Sequence, residues 1–325
     1  MIRIATRRIP LPVKKGLDWV MGTAIAALPG TQSVVLTLPS AGSRSPWCTV
    51  DLLFGDVTRA TGMPGPLRAL YVPDSGEDRR PWALGLYGLC RLELDGDRPT
   101  VVEVIRQGFD RYSSTLVSYD AEVLALGQWL RDSVVLLSAH DGSRIKRMRV
   151  SARHAYRLPD GLLRMVSFHN GIARDVDTSR HRVVRRHRLP HGKGSCLVGD
   201  ALAALVGEPQ PLQVFTPSGA EDADFPGGWE VAGNELIIFD AVTLEVRHRG
   251  SAPAQAVEVL GEDEAGRLVL STRRGLRLLA PPTFAEVGRV ELDQKIWAAG
   301  MVPGHNLAAI VPDEGEQDGL LALRW

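Results

Sequence analysis

Turn signals recur so closely along this chain that no long helix and no parallel sheet fits between them. Runs of four to eight apolar or alternating residues are closed again and again by Gly, Asp, Pro or Ser. Ser33–Leu38, Val50–Phe54, Leu86–Leu94, Val101–Ile105, Thr115–Tyr119 and Val134–Ser138 read this way. So do Leu163–Phe168, Val183–Arg188, Leu236–Phe239, Arg267–Leu270, Leu276–Leu279 and Leu307–Ile310. The 33 Gly and 21 Pro supply the punctuation. A parallel pair needs a crossover of about a dozen residues or more, so strands this close must be antiparallel. Only Leu17–Leu28 and Asp200–Val206 read as short helices. An all-β chain of 325 residues is then a pair of sandwiches, a large barrel or a propeller.

Internal repetition separates these. The recurring unit is an apolar strand, a turn built on Asp or Pro with Thr or Ser close behind, and a second strand. Its clearest copy is Leu236-Ile-Ile-Phe-Asp240-Ala-Val-Thr243-Leu-Glu-Val246. Asp suits such a turn because its carboxylate accepts from backbone amides two residues on, and Thr or Ser adds a second local bond. With Asp56, Asp97, Asp141, Asp177, Asp240 and Pro282 as anchors, the intervals are 41, 44, 36, 63 and 42 residues. A four-stranded blade takes roughly 40–50 residues. The long interval holds a Pro-, Gly- and acid-rich stretch at 208–228, read as a loop insertion.

The v-x-D-x-x-T-x-x-v pattern resembles the outer hairpins of YVTN-type and WD40-like β-propellers, although no copy carries the Gly-His or Trp-Asp signature of true WD40 blades. The resemblance implies a single β-propeller domain over 1–325, with about seven four-stranded blades; six or eight also fit the arithmetic. One blade is expected to be closed by a strand from each terminus, Ile2–Ile9 and Leu320–Trp325, which hides the sheet edges that would otherwise pair with other chains. Two unrelated β-sandwich domains would need a composition shift or linker, and none is present.

Cys48, Cys90 and Cys196 are an odd number, far apart, with no C-x-x-C spacing. They form neither a disulfide framework nor a zinc ribbon and suit reduced, buried thiols in the cytoplasm. Arg7-Arg8 ahead of Leu17–Leu28 looks like a twin-arginine export signal only superficially, because Asp18 and Trp19 break the apolar stretch. No apolar run is long enough to cross a membrane.

Charge is the feature that composition conceals. Lys plus Arg and Asp plus Glu are both 38, yet residues 142–193 carry a net charge of +11 and residues 194–325 a net of −11. The basic segment includes Arg180-His-Arg-Val-Val-Arg-Arg-His-Arg188 and five of the eight histidines. Strand alternation would put Arg180, Arg182, Arg186 and Arg188 on one face, with Arg185 and His187 on the other. Guanidiniums in a row suit carboxylate or phosphate recognition. An acidic protein or another anionic partner therefore comes first. Nucleic acid comes after it, since only Tyr156 and Phe168 interleave with the cations. Self-association of the +11 and −11 segments is a third reading, and local pairing with Asp175 and Asp177 is the plain one. Five imidazoles amid such charge should also titrate low.

No nucleophile elbow, P-loop or dinucleotide fingerprint is present. His154 and His169-Asn170 sit where they could reach a central channel, and His305-Asn306 repeats the pair in the last blade. These are the catalytic candidates, with His169 and His305 as metal candidates, should a metal be used at all. The seven Trp read as packing anchors between blades, except Trp82 and Trp229, whose Pro- and Gly-rich surroundings suggest loops and an interface. The leading expectation is a non-catalytic scaffold or adaptor that needs no cofactor. It would bind its partner through loops and through Arg182, Arg185, Arg186 and Arg188. A hydrolase or lyase acting at the channel comes second.

Overall fold

The computed structural model describes residues 2–12, 25–28, 30–38, 47–60, 65–71, 80–86, 88–95, 98–105, 113–120, 122–128, 133–211, 229–312 and 319–325. Every regular element among them is a strand. After β1 (Ala5–Pro10), blade 1 is β2 (Ile25–Ala27), β3 (Ser33–Thr37), β4 (Trp47–Asp51) and β5 (Val57–Ala60). Blade 2 is β6 (Leu67–Tyr71), β7 (Trp82–Gly85), β8 (Gly88–Asp95) and β9 (Arg98–Ile105). Blade 3 is β10 (Ser113–Ser118), β11 (Val123–Gln128), β12 (Ser133–Ser138) and β13 (Arg144–Met148). Blade 4 is β14 (His154–Arg157), β15 (Leu163–Ser167), β16 (Ile172–Asp177) and β17 (Arg182–Arg188).

Blade 5 opens with β18 (Gly192–Val198) and β19 (Ala201–Val206). The chain then leaves it to pair β20 (Pro209–Pro211) with β21 (Trp229–Val231), and returns with β22 (Glu235–Asp240) and β23 (Val246–Ser251). Blade 6 is β24 (Ala256–Glu262), β25 (Leu268–Thr272), β26 (Gly275–Ala280) and β27 (Ala285–Glu291). Blade 7 joins β28 (Ile296–Met301), β29 (Leu307–Pro312) and β30 (Gly319–Arg324) to β1. All pairs are antiparallel, and Ala5 lies opposite Arg324. The seven sheets form a seven-bladed β-propeller whose ring is shut by the N-terminal strand lying outside the C-terminal one.

The core is seven cores. Each buried cluster fills the gap between two neighbouring blades, from Val34, Leu36, Leu307 and Ala309 between blades 7 and 1 round to Val269, Leu278, Ala308 and Ile310 between blades 6 and 7. A middle strand therefore buries both of its faces. β3, β12, β15, β25 and β29 are apolar runs for that reason and do not alternate. The same cause overturns the helix expected over Asp200–Val206. Ala201–Val206 is a wholly buried strand paired to β18 and β22, and its Ala-Leu-rich run has no period because both faces are covered. Of the helix expected over Leu17–Leu28, Ile25–Ala27 is a strand and 17–24 lie outside the described residues.

The turn anchors fall on successive hairpins between third and fourth strands. Asp240 accepts from Val242 and Thr243 amides at 2.8 and 2.7 Å, and Asp177 from Ser179 and Arg180 at 3.0 and 3.2 Å. In blades 1 and 3 the position belongs to Asp51 and Ser138, not to Asp56 and Asp141. Four residues beyond the cap the backbone turns left-handed, at Gly55, Gly142, His181 and Leu244, and Phe284 does so in the corresponding turn of blade 6. Asp97 lies outside the described residues.

Candidate functional site

Two places gather polar side chains that the packing does not consume: the outer strands of blades 3 and 4, and the inner strands around the channel.

In blade 4 the acidic groups are already spoken for. Arg164 grips Asp175 with Nε to Oδ1 at 2.7 Å and Nη2 to Oδ2 at 2.9 Å, and both side chains are buried. His187 Nε2 lies 3.0 Å from Asp175 Oδ2, and Arg185 Nε lies 2.9 Å from the same atom. Arg185 also bonds Asp160, and Arg164 donates onward to the Ala241 carbonyl of blade 5 at 3.0 Å. Burial alone would raise the Asp175 pKa, but the hydrogen bonds from Arg164 and His187 and their charges hold it below the usual carboxylate range.

Arg185 and His187 thus share one face of β17, as alternation requires. Arg182 does not join Arg186 and Arg188 on the other. A bulge opposite Asp175 and Val176 leaves Val184 without a partner and shifts the register by one. Arg182 then faces Asp177, while Arg186 and Arg188 face Arg174 and Ile172 on the blade 3 side. Lys146 of β13 opposes Leu136 of the blade 3–4 core, so it turns toward the same groove. Among the described residues Lys146, Arg182, Arg186 and Arg188 are exposed and make no ion pair. Ile145 and Val184 add exposed apolar surface beside them.

Inner strands β14, β18 and β24 form one wall of the channel. The chain approaches closely here because Gly194, at φ +51°, would bring a Cβ within 2.4 Å of Glu258 Cα. β18 and β24 are bulged on either side of this contact. His154 Nε2 meets Ser195 Oγ at 2.8 Å. Loss of water, and then the Arg153 charge, lower the His154 pKa to about 4, against a hydrogen bond at Ser195. His169 falls to about 4 from the same two causes and the nearness of His191. The expected low titration is therefore present at these two, with desolvation ahead of charge as its reason.

Arg153 is itself pushed down by desolvation, partly offset by Glu258, and Glu258 is pushed up by desolvation, partly offset by Arg153. Glu258 is exposed by area yet surrounded by protein, and its exposure screens both shifts. A cavity of about 420 Å³ is lined by Ser195, Cys196, Glu258, Trp297, Ile25 and Met301, among others. Neither Arg153, Ser195 nor Glu258 stands out in the sequence; the only signal was their neighbour His154.

Other candidates are placed elsewhere. His169 lies in the turn between second and third strands of blade 4, and His305 in the turn between first and second strands of blade 7. In an antiparallel blade those turns are at opposite ends, so the two histidines occupy opposite faces of the disc and cannot share a metal. His305 faces Glu264 at 3.7 Å instead. No group of three or more His, Cys, Asp or Glu that could hold a metal occurs among the described residues. Asn170 bonds Ser151. Trp82 is 1% exposed, stacked on Arg91 at 4.3 Å, so it is a core residue and not a loop contact. Trp229 begins β21, and its side chain lies outside the described residues. Cys48 and Cys90 are buried, with thiols pushed up to about 12 by desolvation.

No family model and no curated protein matches the sequence. Solved structures do match its fold. The WD40 domain of Neurospora crassa Pan2 superposes with a TM-score of 0.65 at 9% identity, covering 98% of this chain and 93% of that one. A catalytically inactive virginiamycin B lyase from Staphylococcus aureus with quinupristin gives 0.66 at 10% identity, covering 99% and 100%. A chain of the mitotic checkpoint complex gives 0.64 at 10%, covering 98% and 91%. At such identity the likeness concerns architecture, and two of these neighbours are a domain or part of an assembly while the third is an enzyme. The chain is a seven-bladed β-propeller repeat protein without the strict WD40 signature.

Proposed function

We propose that the protein is a scaffold whose groove between the outer strands of blades 3 and 4 binds an acidic segment of a partner protein. The observation that carries this reading is the unspent positive charge. Asp160, Asp175 and Asp177 are engaged by Arg185, Arg164 and Arg180, whereas Lys146, Arg186 and Arg188, which turn toward this groove, have no counter-ion among the described residues. The edge strand β17, which carries Arg186 and Arg188, also has one side unpaired in its sheet, so an extended segment could add backbone bonds. The WD40 domain neighbour and the neighbour within a checkpoint complex support protein binding as a use of this architecture.

Poly-L-glutamate and a structured RNA are suitable probes. The wild-type chain should bind poly-L-glutamate, with affinity falling steeply as salt rises, and the triple variant K146E/R186E/R188E should lose it. Unchanged binding by the variant, or tighter binding of RNA, would overturn the reading. Arg185 is left in place because Asp175 and Asp160 already use it.

A channel enzyme is the second reading, favoured by one observation: Ser195 Oγ sits 2.8 Å from an imidazole that is neutral at pH 7. A hydroxyl beside a neutral histidine is the minimum for a base-assisted nucleophile. A fluorophosphonate probe that labels Ser195 would support it, and a chain left unlabelled would remove it.

A further inference from the structure

The packed seam between blades 5 and 6 stops short of one face of the disc. Between blades 4 and 5 that end is plugged. Tyr156 and Arg164, a cross-strand pair near the β14–β15 turn, reach the Ala241 carbonyl of blade 5 at 2.7 and 3.0 Å. Between blades 5 and 6 the pair at the β18–β19 turn is Val198 and Ala201, which are too short to cross. The space left is a cavity of about 320 Å³, at the small end of the range for small-molecule sites. Ile238 and Leu268 of the blade 5–6 core line it beside that pair, and Pro281, Pro282 and Phe284 of the β26–β27 turn add a second apolar wall.

Three polar side chains also line the cavity. Arg247 is spent, because it bonds both Asp200 and Asp240. His248 packs against the Phe284 ring, with centroids 4.7 Å apart. Glu262 differs from both: it is half-buried, and its carboxylate makes no hydrogen bond or ion pair among the described residues. It lies between two glycine turns, since a Cβ at Gly266 would come within 3.1 Å of Oε1 and one at Gly199 within 3.8 Å of Oε2. A carboxylate that has lost part of its water gains most from a cationic donor. An anion entering here would face Glu262, Asp200 and Asp240 against Arg247 alone, so the local charge selects a cation.

We propose that this cavity binds a small aryl-alkyl amine, its ammonium on the Glu262 carboxylate and its ring against Phe284, the two prolines and Ile238. The ammonium supplies the donor that Glu262 lacks, and the ring occupies the space that Val198 and Ala201 leave open. The site is separate from the groove of blades 3 and 4 and from the channel histidines, and it does not depend on what binds at either.

Phenethylamine, phenethyl alcohol and hydrocinnamate present the same ring with a positive, neutral or negative end, and calorimetry on the full chain can compare them. The amine should bind at millimolar concentration or below, shift the imidazole proton resonances of His248, and exceed the alcohol and the acid by about tenfold or more. E262Q, with folding checked by circular dichroism, should bring amine and alcohol to about equal affinity. F284A leaves the carboxylate in place and keeps the test decisive should E262Q fail to fold: it should weaken amine and alcohol alike and retain the preference for the amine. No binding of the amine to the wild-type chain, equal binding of the three probes, an amine preference that survives in folded E262Q, or an amine affinity untouched by F284A would overturn the proposal.

Discussion

Arginine does opposite things at the rim and at the channel of this disc. On β17, Arg186 and Arg188 stand in water, where a charge costs little and a partner gains little per contact until several act together. At the channel, Arg153 has lost much of its water and shifts the titration of His154, His169 and Glu258 around it. Blade 4 holds a third state: Arg164 is 3% exposed and is balanced by Asp175 in a two-point grip. Position along the radius of the disc, not residue type, sets the chemistry. Charge at the rim suits recognition that salt can tune, while charge at the channel shifts the titration of its neighbours.

That contrast can be broken at its strongest point first. Asp175→Ala would leave Arg164 buried without a counter-ion, and the loss should be about 3–5 kcal/mol of unfolding free energy by denaturant titration. A loss below 1 kcal/mol would show that Arg164 is wet and that the radial distinction fails.

Acid should act next. His154 and His169 titrate near 4 in the folded chain and near 6.5 when unfolded. Between those values the unfolded state binds more protons, so stability falls as pH drops from about 6.5 to about 4 and levels off below. Each group could contribute up to about 1.4 kcal/mol per pH unit. Water in the channel screens part of this, leaving on the order of 2 kcal/mol in total. Denaturant midpoints measured across that window should show the fall, and H154Q should flatten it.

A smaller effect is expected where the inner strands touch. Gly194→Ala would drive a Cβ to 2.4–2.5 Å from the backbone of Glu258 and Val257 at a left-handed φ. The cost should be about 1–3 kcal/mol, with altered Trp297 fluorescence because that ring lines the adjoining cavity. At the rim, by contrast, K146E/R186E/R188E should change stability by no more than about 0.5 kcal/mol while abolishing poly-L-glutamate binding. A large stability loss would mean these side chains are structural.

The repeat was legible because a turn is a local event. Asp177 and Asp240 cap their hairpins through amides two and three residues away, and that pattern is written in consecutive residues. Strand type was less legible where both faces are buried. Ala201–Val206 lost its period to a neighbour on each side and so imitated a helix. The arginine faces of β17 were half legible: alternation grouped Arg185 with His187, but one bulged residue moved Arg182 away from Arg186 and Arg188. Of the channel site only His154 was marked, because Arg153 is one of many cations in 142–193 and Ser195 and Glu258 come from stretches of ordinary composition. Trp82 misled through its Pro and Arg neighbours, although β7 buries it.

The sequence by itself therefore determined the antiparallel all-β architecture, the approximate blade count, the closure by both termini and the concentration of positive charge at 142–193. Each depends on spacing between residues near one another in the chain. The tertiary structure alone decided which charges meet. It set the Arg164–Asp175 grip and the separation of His169 from His305 onto opposite faces. It also brought Arg153 near enough to Glu258 for each charge to offset part of the other's shift, because three blades must first pack in a ring before residues a hundred positions apart can sense one another's field.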